Sequence, residues 1–404
     1  MASYARNFIY TTCCEVKQVK KIAFLIRSLH RGGAERQLVN LAVEMQKHGH
    51  QPIVVVYYLG GALETELVQA GVQIFSLEKR RRWDMVSPLI RLLRFLRRER
   101  PTALYSFLPT SNVMSLVGLL LLRRPKIVWG VRSSFVDLSK FDRAIGFSYF
   151  LERKLSFLPD LIIYNSESGK EYGNRQGIRG RRDLVIPNGI DVSKYTPDLQ
   201  RRTELRHQLG LEGQFVIGTV GRIDPMKDHI TLLKAIAILS TRIPQLKCIV
   251  VGDGDAQLLR ELKNESVLLR IEDKIVWLGA KDRVDQMLQL FDVFVMTSIG
   301  EGFPNALAEA MSVGLPVVAT AVGDCRAIVG DMRWICPPAN PQRIADTIYD
   351  IYQLSDLERA DIAKCNQQRI SGNFSIDAMY HATMQELCVG SNQLLRSATK
   401  KRAC

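Results

Sequence analysis

No stretch of this 404-residue chain is apolar enough to cross a bilayer. The longest apolar run, Leu116–Leu122, falls far short of the roughly 20 residues that a spanning helix needs. Met1–Lys21 lacks the apolar centre of a secretory leader, so neither a span nor an export signal is expected. Eight cysteines are present without a single C-x2-C pair. That argues against a zinc site and against a disulfide framework, and a reducing cytosol fits best. Negative charge is what the first half lacks. Residues 1–186 hold 30 Lys+Arg against 15 Asp+Glu, a net of +15, while 187–404 hold 25 against 26, a net of −1, which together give the +14 of the chain. Such asymmetry points to a basic face that meets a polyanion. Nucleic acid is disfavoured, because no recognised binding module or aromatic-interleaved platform accompanies the charge.

What is present is an alternation of short β-rich runs with helices of 10–15 residues, which implies doubly wound parallel sheets. Residues 1–19 show no periodicity and read as a poorly ordered tail. The pattern starts at Lys21–Ile26 and runs to Asp183–Ile186. It breaks over Pro187–Asp191 and Tyr195–Pro197, where turn chemistry replaces periodicity, and restarts at Phe215–Val220. The fold class expected is α/β with two Rossmann-like halves: an N-terminal domain over 20–186 and a C-terminal domain over 187–374.

The richest stretch is Ser298–Met311, SIGEGFPNALAEAM. An apolar β-branched run precedes it and small and apolar residues with helical spacing follow, so it reads as strand, Gly-containing loop and helix. Pro304 stands where the first helical residue should be, since its missing N–H has no partner there anyway. The stretch Gly302, Phe303, Pro304 and Asn305 then aims the backbone N–H groups of its non-proline residues and the positive end of a helix dipole at the carboxyl end of a strand, an anion site. Glu309 shares a helical face with Asn305. A carboxylate accepts hydrogen bonds and donates none, so it suits the vicinal diol of a ribose beside a phosphate; equally, one Glu on an amphipathic helix is often a surface residue.

Three further turns follow strands. Leu29–Arg36 contains Gly32-Gly33 at a strand-to-helix junction, where the backbone can approach a ligand closely. It is neither a Walker loop nor a G-x-G-x-x-G fingerprint. Val220–Asp228 places Arg222 and Lys227 five residues apart on a short loop, so that a planar fork and a compact charge can converge on a diphosphate. Val251–Asp255 holds Gly252 and Gly254, with Gln257 where a dinucleotide fingerprint needs a third Gly. A Rossmann dehydrogenase is accordingly disfavoured.

Together these elements resemble the retaining nucleotide-sugar glycosyltransferases of family 4, also called group 1. The matching motifs are EGFPNALAE, a Glu-x7-Glu signature from Glu301 to Glu309; GGAER at 32–36; and the Gly-Arg…Lys-Asp element at 221–228. The resemblance implies a GT-B fold, in which two Rossmann-like domains face a cleft and the last helix, about 375–391, crosses back onto the N-terminal domain. It also implies a nucleotide-diphosphate sugar as donor, no cofactor and no metal. By resemblance Arg222 and Lys227, with N–H groups near Gly33 and Phe303, stabilise the leaving diphosphate. Glu309 holds the ribose and Glu301 binds the donor sugar. One departure stands out: many relatives carry a His after the strand Lys126–Val131, where this chain has Arg132 and Ser133. These two either take over the sugar contact or reflect a different acceptor orientation; His30, beside the Gly turn, is a further substitute or incidental, and Trp277 borders the base or is core.

The function expected is retaining transfer of a sugar to a lipid-linked or polysaccharide acceptor in surface-polysaccharide or glycolipid synthesis. The enzyme would sit in the cytoplasm, peripherally on the inner face of the cell membrane. Basic patches at Lys79–Arg82, Leu89–Arg100 and Arg123-Arg124 would meet the anionic membrane surface. On a helical wheel Arg91, Arg94 and Arg98 lie opposite Leu89, Leu92, Leu93 and Leu96, which describes a lipid-facing side or an ordinary solvated one. An epimerase or phosphorylase of the same fold and a non-catalytic membrane-binding subunit are the alternatives.

Overall fold

Seven β-branched or apolar strands build the first sheet: β1 Lys21–Ile26, β2 Gln51–Val56, β3 Gln73–Ser76, β4 Ala103–Phe107, β5 Lys126–Val131, β6 Leu161–Tyr164 and β7 Asp183–Val185. The computed structural model describes residues 19–79, 84, 86–132 and 143–388. The expected tail, apart from Val19, and Ser133, Arg80–Arg82 and residues 389–391 lie outside them. The sheet order is β3-β2-β1-β4-β5-β6-β7, and every pairing is parallel. Parallel strands must be covered on both faces, which is why β1 and β4 are buried almost without interruption. One face packs on Leu38, Leu41 and Met45 of the helix Gly33–Lys47 together with Met379, Tyr380 and Met384 of the helix Ile376–Cys388. The other packs on Leu92, Phe95 and Leu96 of the helix Val86–Glu99 and on Met114 and Val117.

A second sheet repeats the plan with β8 Phe215–Val220, β9 Leu246–Val251, β10 Ile275–Gly279, β11 Val293–Met296, β12 Val317–Thr320 and β13 Ile335–Cys336. Its order is β10-β9-β8-β11-β12-β13, again all parallel. The chain forms two compact units. The first holds the described residues up to Asn165, Gly169–Ile186 and those from Met379 onward; the second holds Ser166–Ser168 and Pro187–Ala378. Within the first unit Tyr380 stacks on His48 with ring centroids 4.1 Å apart, and its hydroxyl lies 3.0 Å from His50 Nε2.

The strand order reverses once in each sheet, between β1 and β4 and between β8 and β11. At such a point the following helices leave on opposite faces and a crevice opens at the carboxyl ends of the strands. The loops after β8 and β11 carry Arg222, Lys227 and Glu301; the loop after β1 carries Gly32 and Gly33. No helix among the described residues is long and apolar enough to cross a membrane.

Two expectations need correction. The apolar spacing of Ser111–Leu122 predicts a single helix, but the chain forms an α-helix at Pro109–Ser115 continued by a 3-10 turn at Leu116–Leu120. On the helix Val86–Glu99 the buried side is Pro88, Leu92, Phe95 and Leu96, while Leu89 is exposed. The wheel alone could not choose between flanks of a stripe with leucines on both sides of it.

Candidate active site

The second unit assembles its site from hydrogen bonds that tie two neighbouring loops together. Thr297 Oγ1 donates to the carbonyls of Lys227 (2.9 Å) and Asp228 (3.0 Å), and the Ile299 N–H donates to Met226 O at 2.9 Å. Thr320 Oγ1, at the end of β12, donates to Ser298 O at 2.6 Å. Asp224 caps the short turn Pro225–Lys227 by accepting from Met226 N–H. Asp228 is a non-glycine residue at φ 45°, and its side chain accepts from Thr231 N–H at the start of the helix His229–Ser240. Caps and cross-loop bonds of this kind fix both loops before any ligand arrives.

The result is a three-residue cluster. Lys227 Nζ donates to Glu301 Oε1 at 2.5 Å and Ser298 Oγ donates to the same oxygen at 2.7 Å. Both donors converge on Oε1, so Oε2 is left to accept from something else. The Glu301 side chain is 12% exposed and that of Lys227 26%, so water screens the pair only partly. Arg222 does not join it: its side chain is 80% exposed, with Asp224 Oδ2 4.0 Å from Nη2. Lys227 also bears on His229, which is buried and held neutral; its pKa falls to about 4, chiefly through burial and secondarily through the Lys227 charge.

The helix after Glu301 starts at Asn305, with Pro304 as its N-cap and not as its first helical residue. A proline cap has no side-chain acceptor to fold back, and no side-chain cap bond is present. The first intrahelical bond runs from Ala308 N–H to Pro304 O, so the N–H groups of the first turn stay available to an anion. Asn305 Oδ1 accepts from Asn188 Nδ2 at 2.8 Å. Glu309 stands one turn deeper and partly buried on this helix. The Phe303 ring is core, 5.6 Å from the Phe374 centroid, which leaves its backbone as the part able to touch a ligand. Trp277 is half-buried against the same core. Gly252, at φ 148°, lies so near β8 that a Cβ there would come within 1.7 Å of Gly221 O; at Gly254 it would come within 2.2 Å of Ile223 O. Both glycines are therefore explained by close backbone packing.

In the first unit Gly32 is the N-cap of the helix Gly33–Lys47, again without a side-chain cap bond. Glu35 folds back over it: a Cβ at Gly32 would lie 2.1 Å from Glu35 Oε2, and burial raises the Glu35 pKa. Glu35 was not singled out in the sequence, although it lies inside the GGAER motif. Arg132 extends from the end of β5, donates from Nη2 to Tyr105 Oη at 2.9 Å and lies 4.5 Å from the Phe107 ring centroid. His30 is exposed.

Two features here had no sequence signal. Leu108, at the end of β4, adopts φ 73°, a conformation costly for a bulky residue and typical of functional loops. Glu152 is 2% exposed; its Oε1 accepts from Asn112 Nδ2 at 2.6 Å, and that amide also donates to Gly130 O at 3.3 Å. Burial pushes the Glu152 pKa up to about 7, with the Asn112 bond opposing. The folded protein thus keeps a proton that the unfolded chain has released, so this group's contribution to stability is full below about pH 4.5 and is lost as pH rises through about 7. Glu152→Gln retains an acceptor for Asn112 without the charge. Denaturant titrations should show it equal to wild type near pH 4 and more stable by about 2–3 kcal/mol near pH 8; a pH-independent difference would contradict the assignment.

Comparison with known proteins bears on this arrangement. Residues 31–194 match the family described as Glycosyltransferase Family 4, and residues 201–369 match Glycosyl transferases group 1. The chain belongs to the group 1 glycosyltransferases. It is 26% identical over 313 residues to the putative glycosyltransferase EpsF of Bacillus subtilis, covering 74% of this chain and 78% of that one. Over 149 residues, 36% of this chain and 38% of the other, it is 32% identical to the Escherichia coli UDP-Gal:alpha-D-GlcNAc-diphosphoundecaprenol alpha-1,3-galactosyltransferase. The crystal structure of Anabaena HepE in complex with UDP-glucose superposes with a TM-score of 0.77 at 24% identity, covering 91% of this chain and 99% of HepE. The fold is GT-B, and the protein is a group 1 glycosyltransferase with the two-sheet architecture of that class.

Proposed function

We propose that this group 1 enzyme transfers a sugar, with retention of anomeric configuration and without a metal, from a nucleotide-diphosphate sugar to a lipid-linked acceptor of polysaccharide or glycolipid synthesis. The observation that carries the reading is the Lys227–Ser298–Glu301 cluster at the switch point between β8 and β11, next to the helix start at Asn305. The diphosphate gains charge as the glycosidic C–O bond breaks. Lys227, Arg222 and the N–H groups at Asn305 oppose that charge, which is electrostatic stabilisation of the transition state. Glu301 Oε2 accepts from hydroxyls of the donor sugar and stabilises its cationic carbon, while Glu309 accepts from the ribose diol. The departing phosphate oxygen takes the proton of the acceptor hydroxyl, so no side-chain base is required.

Support for the donor class comes from the UDP and UDP-glucose complexes of HepE. Support for the acceptor class comes from relatives named for undecaprenol-linked substrates, the E. coli enzyme above and a Campylobacter jejuni N-acetylgalactosaminyltransferase. In this reading Arg132 and the Gly32-Gly33 turn serve the acceptor side, and the enzyme works at the inner face of the cell membrane. The test is transfer in the presence of a chelator: EDTA should leave the initial rate unchanged, and a strict requirement for Mn²⁺ or Mg²⁺ would contradict the metal-free step. Product anomers assigned by NMR should match the donor.

A further inference from the structure

The two faces of the first sheet are covered by helices of different surface chemistry. On one side, the helices Gly33–Lys47, Glu64–Gln69 and Ile376–Cys388 expose a single large apolar residue, Val68, among the described residues. On the other side, the helix Val86–Glu99, the segment 109–124 and the helix Arg143–Leu155 expose Leu89, Ile90, Leu120, Leu122, Phe147 and Phe150. Phe147 and Phe150 are 59% and 44% exposed, with ring centroids 6.3 Å apart. Lys154, also exposed, follows at the same three-to-four-residue spacing and so shares one helical face with them, and exposed Phe157 lies two residues past the helix end.

The three elements that expose these apolar residues carry only two carboxylates, Glu99 and Glu152; the first is partly buried between Lys21 and Arg98 and the second is buried, while the exposed Glu171 lies on the neighbouring helix Glu167–Arg175. Arg94, Arg97, Arg98 and Arg123 are exposed beside the apolar residues. Lys154 Nζ lies 5.9 Å from the Phe150 ring centroid, so cation and aromatic stand together as they do in helices that lie in a lipid interface.

We infer that this layer is a docking surface for an anionic lipid bilayer: Phe147, Phe150, Leu120 and Leu122 enter the acyl boundary while Arg94, Arg97 and Lys154 remain at the headgroups. The inference rests on the proposed lipid-linked acceptor, and it moves the contact from the Arg91–Arg94–Arg98 row alone to a surface in which aromatic insertion is half of the binding. Arg91 contributes less to it, because its Nη1 is paired with Glu78 at 2.5 Å.

The test is flotation of the full-length protein with vesicles of phosphatidylethanolamine and phosphatidylglycerol, or of phosphatidylcholine alone. Wild type should float with the anionic vesicles only. Phe147→Ser/Phe150→Ser should lower the vesicle partition about tenfold, with little dependence of that loss on salt. Arg94→Glu/Arg97→Glu should also lower it about tenfold, and the salt dependence should largely vanish. Circular dichroism, melting temperature and transfer to a water-soluble acceptor analogue serve as controls and should be unchanged in both variants. Wild-type flotation that neither variant alters would overturn this surface while leaving the lipid-linked acceptor standing. Equal flotation with phosphatidylcholine, or none with either vesicle, would overturn it as well. The acceptor reading falls only if transfer to extracted lipid fails in addition.

Discussion

Glu309→Ala should lose about 10²–10³ in kcat/KM for the donor while its melting temperature stays within a few degrees of wild type. Glu309 sits partly buried on the helix Asn305–Val313, one turn behind the free N–H groups of its start. In the proposed site that carboxylate accepts two charge-assisted hydrogen bonds from a ribose diol, each contributing about 1.5–3 kcal/mol. Some of that is offset in the free enzyme by water and by the partners Glu309 already has, hence the lower end of the range. Alanine has higher helix propensity than Glu and tolerates the small, apolar neighbourhood of Leu307, Ala308 and Ala310, so the fold should survive. Because ribose contacts hold the ground state and the transition state alike, most of the loss should appear in KM. Calorimetric titration of the free nucleoside diphosphate then separates the contact from chemistry: affinity for the nucleotide should fall by the same factor. An unchanged affinity would remove Glu309 from the nucleotide site.

Lys227→Ala should act on the other parameter. In the free protein Lys227 holds Glu301 at 2.5 Å; in the proposed mechanism the same ammonium faces the diphosphate whose charge grows as the bond breaks. Loss of one preorganised donor of this kind costs about 10²–10³ in kcat. The substitution also leaves Glu301 with Ser298 Oγ as its remaining donor, and a partly buried carboxylate with a reduced hydrogen-bond set is mispositioned for the sugar. The expected effect on kcat is therefore about 10³, with KM changed far less. Lys227→Arg is the informative control, since it keeps the charge but replaces a compact ammonium by a planar fork that does not fit the same pocket. Partial rescue by Arg would show that charge matters more than shape. Equal kcat for wild type and the Ala variant would take Lys227 out of the reaction.

Much of this architecture is legible without coordinates, for physical reasons that differ by element. The strand–loop–helix at Ser298–Met311 shows because a fully buried parallel strand must be apolar throughout and the helix after it must be small where it packs. The turns at 32–33 and 252–254 show because glycine marks close backbone approach; a Cβ at Gly252 would come within 1.7 Å of Gly221 O. The helix Leu199–Gln208 does not show. Its sequence is almost wholly polar, and it is held by long-range bonds, with Arg202 and Arg206 both paired to Asp292 at 2.5 and 3.1 Å. Pro304 is displaced by one position, from first helical residue to N-cap, since its fixed φ suits both places and only ψ tells them apart.

The site divides in the same way. Lys227 and Glu301 are visible as residue types after strands, but their partnership, with Ser298 as its third member, depends on two loops 74 residues apart in sequence meeting in space. Leu108 is invisible, because nothing in a leucine announces φ 73°. Glu152 is invisible too, since one carboxylate among basic neighbours on an amphipathic helix reads as solvated; only the packing of Asn112 against it shows that it is buried.

Lys227, Glu301 and Glu309 are proposed as the donor site of a sugar transferase acting on lipid. The measurement that meets this claim most directly is incubation of the protein with membranes and a panel of labelled UDP-, GDP- and ADP-sugars in EDTA, with label counted in the lipid extract. One donor should label lipid with wild type, and Glu309→Ala and Lys227→Ala should reduce that signal about a hundredfold or more. Labelling that both variants sustain at the wild-type rate would contradict the account.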